Sequence, residues 1–90
     1  MKLNLDKNLF DLRGNPQDKL LCEILADILA TSSTVRPAQT MAWAYDLIKK
    51  GEIEIGKEDK KFIIGLIINN QMFVDLAKAQ LIDEIEKLED

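Results

Sequence analysis

Histidine is absent from this 90-residue chain, and cysteine occurs only once, as Cys22. Without imidazole or a second thiol, the chain has no means to build an intrachain disulfide, a zinc site of cysteine and histidine, or a histidine-dependent catalytic relay. A single unpaired thiol is typical of a reducing compartment. These absences exclude most enzyme classes, and we expect a non-enzymatic protein that holds no metal ion or other cofactor.

Long apolar runs are absent as well. The longest candidate, residues 62–68 (FIIGLII), has seven residues, whereas a membrane-spanning helix needs about 18. The first ten residues, MKLNLDKNLF, contain neither the apolar segment nor the cleavage site of a secretory signal. We therefore expect a cytoplasmic protein that does not span a membrane.

Basic residues are not gathered as a nucleic-acid binder requires. The chain has 12 basic and 16 acidic residues, for a net charge of -4. Its last eight residues, DEIEKLED, hold five acids and one lysine. Because clustered cations that neutralise phosphates supply much of the affinity for nucleic acid, this charge pattern argues against direct binding to DNA or RNA.

The residues that are present describe one folded domain over positions 1–90. Hydrophobic residues make up 47% of the chain and charged residues 31%, a balance typical of globular domains rather than disordered segments. Ninety residues provide one hydrophobic core but not two. The pattern of turns and apolar residues predicts a mainly α fold, with about four helices and a small two- or three-stranded β element near the N-terminus.

A helix-start signature predicts the first helix. Asn15 supplies an N-cap oxygen, Pro16 suits the first helical position, and Asp18 adds an acid to the first turn. We expect this helix to extend to about Ala30. Before it, residues 2–5 (KLNL) alternate between polar and apolar and indicate a short strand.

The second helix is predicted to begin at Pro37 and to end near Lys50, where two lysines and then Gly51 favour a C-terminus. Residues 52–55 (EIEI) alternate strictly and predict a strand that pairs with residues 2–5. Met41, Ala44, Tyr45 and Ile48 lie on one face of the second helix, with Ala42 and Trp43 to its sides. We expect Trp43 and Tyr45 to pack in the core, and a surface patch flanked by these two residues is the alternative.

The third and fourth helices carry a surplus of apolar residues. Glu58 and Asp59 acidify the start of the third helix, and Asn70 is the predicted N-cap of the fourth. A chain of this size buries about 60–65% of its surface, so a helix that is apolar nearly all round lies at the centre of the core or contacts a second chain. Both arrangements stay open, and the second predicts a symmetric homodimer. The candidate interface residues are Phe62, Ile64, Ile68, Phe73, Leu81 and Ile85.

Two short motifs suggest other functions. The segment GEIEIGKE at residues 51–58 resembles a phosphate-binding loop, but its last position is Glu58 where that motif requires a hydroxyl to bind magnesium. The second helix can also be interpreted as the recognition helix of a helix-turn-helix, with Arg36, Gln39 and Thr40 at its start. A dimeric nucleic-acid-binding regulator that uses this helix is therefore the alternative to a protein-binding function.

The order of segments resembles a group of small uncharacterised proteins of phages and prophages. The resemblance rests on KLNL, LFDLRGNP, AWAYDLIKKGEIEI and LAKAQLIDEI, and it covers most of the chain. Members of that group usually carry Ser or Thr where this chain has Gly56. The resemblance implies a phage-derived accessory protein that binds phage or host proteins, and it implies no functional residues.

Overall fold

Four helices and four short strands make up the computed structural model, which describes residues 1–88. The strands are β1 (Lys2–Asn4), β2 (Asn8–Phe10), β3 (Pro16–Leu20) and β4 (Glu52–Glu54). The helices are α1 (Leu21–Thr31), α2 (Pro37–Lys50), α3 (Lys57–Asn69) and α4 (Asp75–Glu86). The predicted mainly α fold with a small β element is confirmed.

The predicted pairing of the N-terminal strand with residues 52–55 is also confirmed. β1 and β4 are antiparallel, with Leu3 opposite Ile53. Both side chains lie in the core, where they are only 1% and 4% exposed. Gly51 makes the turn from α2 into β4, with the left-handed φ of +75° that favours glycine.

The predicted start of the first helix at Asn15 and Pro16 is wrong, because these residues belong to a hairpin between β2 and β3. The Asp11 carboxylate accepts hydrogen bonds from the backbone N–H groups of Arg13 and Asn15, both at 2.9 Å. Gly14 adopts a φ of +84° in this turn. Asn15 thus closes a hairpin instead of capping a helix, and α1 begins at Leu21, six residues later.

Helix α1, rather than α3, occupies the centre of the core. Seven of its eleven residues are buried, and it contacts α2, α3 and α4. By contrast, α3 buries only Ile63 and Ile67. Phe62, Ile64 and Leu66 are half-buried and pack against the core, and Ile68 is 59% exposed. The apolar run of α3 is therefore only partly covered.

The buried residues of α2 are Thr40, Trp43, Ala44 and Leu47. The expected core position is confirmed for Trp43 but is wrong for Tyr45, which is 61% exposed, and Ile48 is 62% exposed. This side of α2 faces the core because Trp43 and Leu47 bury more apolar area than Tyr45 and Ile48. The Thr40 hydroxyl can be buried there because it donates to the carbonyl of Arg36 at 2.8 Å.

Helices α3 and α4 form an antiparallel pair. The Lys60 ammonium donates to the carbonyl of Leu88 at 3.0 Å, and the Lys78 ammonium donates to the carbonyls of Ile68 and Asn70 at the other end. Asn70 does not cap α4 as predicted. Its side-chain oxygen instead accepts from the backbone N–H groups of Met72 and Phe73 in the connecting loop, and α4 begins only at Asp75.

Candidate interaction surface

The structure divides the six candidate interface residues among three environments. Leu81 and Ile85 have no exposed surface at all. They point toward α1, and both belong to the main hydrophobic core. We therefore correct their assignment from interface to core, because a side chain without accessible surface has nothing to offer a second chain.

Phe62 and Phe73 are half-buried, and each has a cation over its ring. The Arg36 guanidinium lies 4.4 Å from the ring centre of Phe62, whose other neighbour is Trp43 at 6.3 Å. The Lys19 ammonium lies 5.6 Å from the ring centre of Phe73. These contacts join α2 to α3 and β3 to the loop before α4, so both phenylalanines stabilise the single chain.

Ile68 lies on the side of α3 that points away from the core, whereas Ile64, at the edge of that side, also packs against the core. Ile64 is half-buried, and Ile68 is 59% exposed. Gly65 lies between them, and a methyl group added at its Cα would meet no atom within 4 Å. Together with exposed Lys61, one turn before Gly65, these residues form what we call the α3 outer face. Its centre is apolar and open, and its N-terminal end is charged.

The corresponding side of α4 is acidic. Asp75, Ala79, Asp83 and Glu86 are all exposed, and helical spacing puts them on one side, opposite the buried Ala77, Leu81 and Ile85. We call these four exposed residues the α4 outer face. The sequence analysis did not identify this face, because the antiparallel placement of α4 beside α3 is not encoded in local spacing.

A second exposed apolar surface lies on α2, where the sequence analysis favoured core packing of Tyr45 over a surface patch. Tyr45 and Ile48 are exposed, and Met41 is half-buried on the same side. In the sequence, the buried side of α2 is marked by Trp43, the bulkiest side chain of the helix, together with Thr40 and Leu47 at helical spacing from it. We call Met41, Tyr45 and Ile48 the α2 outer face.

Arg36, the leading cation of the nucleic-acid alternative, is held by its own chain. Its guanidinium donates to the Asp59 carboxylate at 2.7 Å while it covers Phe62. Thr40, a second proposed recognition residue, is buried. A phosphate would therefore have to displace Arg36 from an ion pair and an aromatic ring.

The shifted pKa values of two carboxylates and one thiol are explained by hydrogen bonds, burial and charges within the chain. The backbone N–H of Gly56 and the Arg36 guanidinium both bind the Asp59 carboxylate and lower its pKa. Hydrogen bonds from the ammonium groups of Lys7 and Lys87 lower the pKa of Glu84. Burial raises the pKa of the Cys22 thiol, an effect that the carboxylate of Asp6 increases. A raised pKa reduces the thiolate fraction, so Cys22 has the character of a structural rather than a reactive thiol.

The loop-like segment at residues 51–58 is not a phosphate cradle. Its first four positions are the end of α2 and strand β4. Its final glycine precedes α3, and there the Asp59 carboxylate accepts the backbone N–H of Gly56 at 2.9 Å. A carboxylate thus occupies the place where a phosphate would need free N–H donors.

Two further observations concern the described part of the chain, residues 1–88. No three cysteine or acidic side chains there are grouped so that they could hold a metal ion. None of the helices in this range has the length and apolar character needed to cross a bilayer. Comparisons with protein-family models, with curated proteins and with solved structures find no match for this chain.

Proposed function

We propose that this chain is a non-enzymatic accessory protein that acts stoichiometrically by binding proteins, and that it associates with itself through the α3 outer face. The observation that carries the proposal is the partial cover of α3. Of the apolar residues between positions 62 and 68, Ile63 and Ile67 are buried in the single chain, and Phe62, Ile64 and Leu66 are half-buried against the core. Ile68 remains 59% exposed.

Energetics support contact at this face. Burying an exposed isoleucine side chain contributes about 1.5–3 kcal/mol, and a symmetric dimer buries each residue of the face twice. Gly65 carries a helix-propensity penalty of about 1 kcal/mol relative to alanine, and among the described residues no other element of the chain lies within 4 Å of the position that a Cβ would take. A second helix that approaches closely at Gly65 would give this glycine a structural role.

A phage or prophage context is part of the proposal, and it rests on the sequence resemblance. Small helical proteins of that origin act as assembly factors or modulators of host proteins, so a phage or host protein is the expected further partner. The nucleic-acid alternative has less support, since Arg36 is engaged by Asp59 and Phe62. A cytoplasmic location stays a prediction.

The experiment compares two exposed isoleucines on different faces. Ile68→Glu places a charge on the α3 outer face, and Ile48→Glu places the same charge on α2, where the isoleucine is 62% exposed against 59% for Ile68. Solution mass is measured by sedimentation and light scattering from about 10 µM to about 1 mM, a range that brackets weak dimers. Circular dichroism establishes that each variant is folded.

We expect the parent and Ile48→Glu to increase in mass with concentration, and Ile68→Glu to remain a folded monomer. A parent that is monomeric over the whole range would contradict self-association. Dissociation by Ile48→Glu but not by Ile68→Glu would assign the contact to the α2 outer face instead. Unfolding of Ile68→Glu would mean that the residue is part of the core, contrary to its exposure.

A further inference from the structure

We propose that, in the dimer, the α3 outer face of each chain packs antiparallel on the α4 outer face of the other, with Lys61 beside the partner's Glu86. This inference rests on the self-association proposed above and specifies what covers the face. The occupant is a second copy of this chain, and the argument comes from the direction of the helices, their charges and the available area.

The direction of the helices follows from two contacts. Lys60 near the start of α3 bonds the carbonyl of Leu88, just beyond the end of α4. Lys78 near the start of α4 bonds the carbonyl of Ile68 near the end of α3. Both helices also contact α1 on their buried sides. Their outer faces therefore point away from α1, side by side, with the N-terminus of α3 beside the C-terminus of α4.

The charges of the two outer faces are complementary. Lys61 is an exposed cation on the α3 outer face, while the α4 outer face carries Asp75, Asp83 and Glu86. Asp83 is already paired with Lys87 of its own chain at 3.2 Å, so Asp75 and Glu86 are the acids that remain for a second chain. Glu58 is a further exposed acid, and it lies at the N-terminal rim of α3. Within residues 1–88, neither Lys61 nor Glu86 forms an ion pair or a side-chain hydrogen bond. Both charges are thus available to a second chain.

A twofold axis parallel to the helices brings these faces together. The rotation leaves the direction of each helix unchanged, but it exchanges left and right, so α3 of one chain meets α4 of the other in an antiparallel arrangement. The N-terminal end of α3 then meets the C-terminal end of the partner's α4. Each dimer contains two contacts between Lys61 and the partner's Glu86. At the other end, Ile68 meets the region of the partner's small Ala79.

The available area sets the expected strength. A 13-residue helix such as α3 is about 20 Å long, and each helix is about 10 Å wide. The two outer faces together therefore offer about 400 Å² on each chain. A total of about 800 Å² is below the size of a standard stable interface. We expect a dimer that forms reversibly and dissociates on dilution.

The test is a mixing experiment with two charge reversals, Lys61→Glu and Glu86→Lys. When a variant is alone, positions 61 and 86 carry like charges in both contacts of its dimer. We therefore expect its self-association to weaken by roughly tenfold. In an equal mixture, both contacts of the mixed dimer join opposite charges, so the mixed dimer should form with about the affinity of the parent. Sedimentation equilibrium of each variant and of the mixture at low salt measures both effects.

Mixing changes only contacts between chains, because any effect of a reversal inside its own chain is the same with and without the other variant. Lys49→Glu, a reversal at an exposed site of α2, is the matched control and should self-associate like the parent. If the mixture associates no better than the single variants, the antiparallel pairing is overturned, even where Ile68→Glu still abolishes the dimer. A monomeric parent instead overturns the proposed function as well.

Discussion

Gly65→Ala offers a direct test of how open the α3 outer face is. Glycine inside a helix is less stable than alanine by about 0.5–1 kcal/mol, because its unfolded backbone is more flexible. At Gly65 an added methyl group meets no atom of the same chain within 4 Å, so no steric cost offsets this gain. We expect the free energy of unfolding of the monomer to rise by about 0.5–1 kcal/mol, and Tm by about 2–8 °C.

The assay is thermal and urea unfolding at low micromolar protein, where the dimer is dissociated. Ala79→Gly is the matched control, since Ala79 is an exposed mid-helix residue of α4, and it should lose a similar amount. A loss of stability in Gly65→Ala would contradict an open α3 outer face, because it would show that something in the same chain packs against Gly65.

At high concentration the same variant reports on the dimer. A methyl group at Gly65 would stand between two closely packed helices, so the stabilisation should shrink as the dimer forms. Sedimentation of the variant should show weaker association than that of the parent. An unchanged association constant would mean that no second helix approaches at this residue.

Two further predictions concern the single chain. Gly51→Ala should lower the free energy of unfolding by about 1–2 kcal/mol because of its left-handed backbone, and by more because the new Cβ would lie 2.8 Å from the Cβ of Asp6. Gly14→Ala, with a φ of +84° and open space around the new Cβ, should lose only the roughly 1–2 kcal/mol that comes from the backbone. Equal losses for the two variants in chemical denaturation would contradict the predicted contact with Asp6. The lowered pKa values of Asp59 and Glu84 mean that their contribution to stability is present above the ordinary carboxyl range and is lost as the pH falls through the lowered values. The free energy of unfolding, measured with urea, should therefore fall steeply below about pH 4. In Asp59→Asn this fall should be shallower. The same fall in parent and variant would contradict a role for Asp59.

The N-terminal third shows where local signals were misleading. Asn15, Pro16 and Asp18 satisfy the rules for a helix start, yet they lie in the turn and second strand of a hairpin. The Asp11 carboxylate, four residues earlier, binds the N–H of Asn15, and the side chain of Gln80 on α4 bonds both backbone groups of Phe10 on β2. The second contact spans 70 residues, so local spacing did not contain it.

The faces of the helices show a similar limit. The chain has more apolar residues at helical spacing than one core can cover, so periodicity did not determine which sides of α2 and α3 are buried. Leu81 and Ile85 were assigned to an interface, although they are part of the main core. Ile68, another candidate interface residue, is 59% exposed, and Ile64 is half-buried against the core. Spacing identifies a stripe, but the neighbouring helices decide whether it is covered.

The fold class, the limits of α2, the start of α3 and the pairing of β1 with β4 could all be predicted from the amino-acid sequence. These features depend on short-range physics: proline at a helix start, a left-handed glycine at a helix end, and strict alternation in a strand. The packing of the helices was needed to establish that α1 is the central helix, which side of α2 and α3 stays exposed, and that the acidic outer face of α4 lies beside the outer face of α3. Those outcomes depend on which helices compete for one small core, and that competition is a property of the whole chain rather than of any local segment.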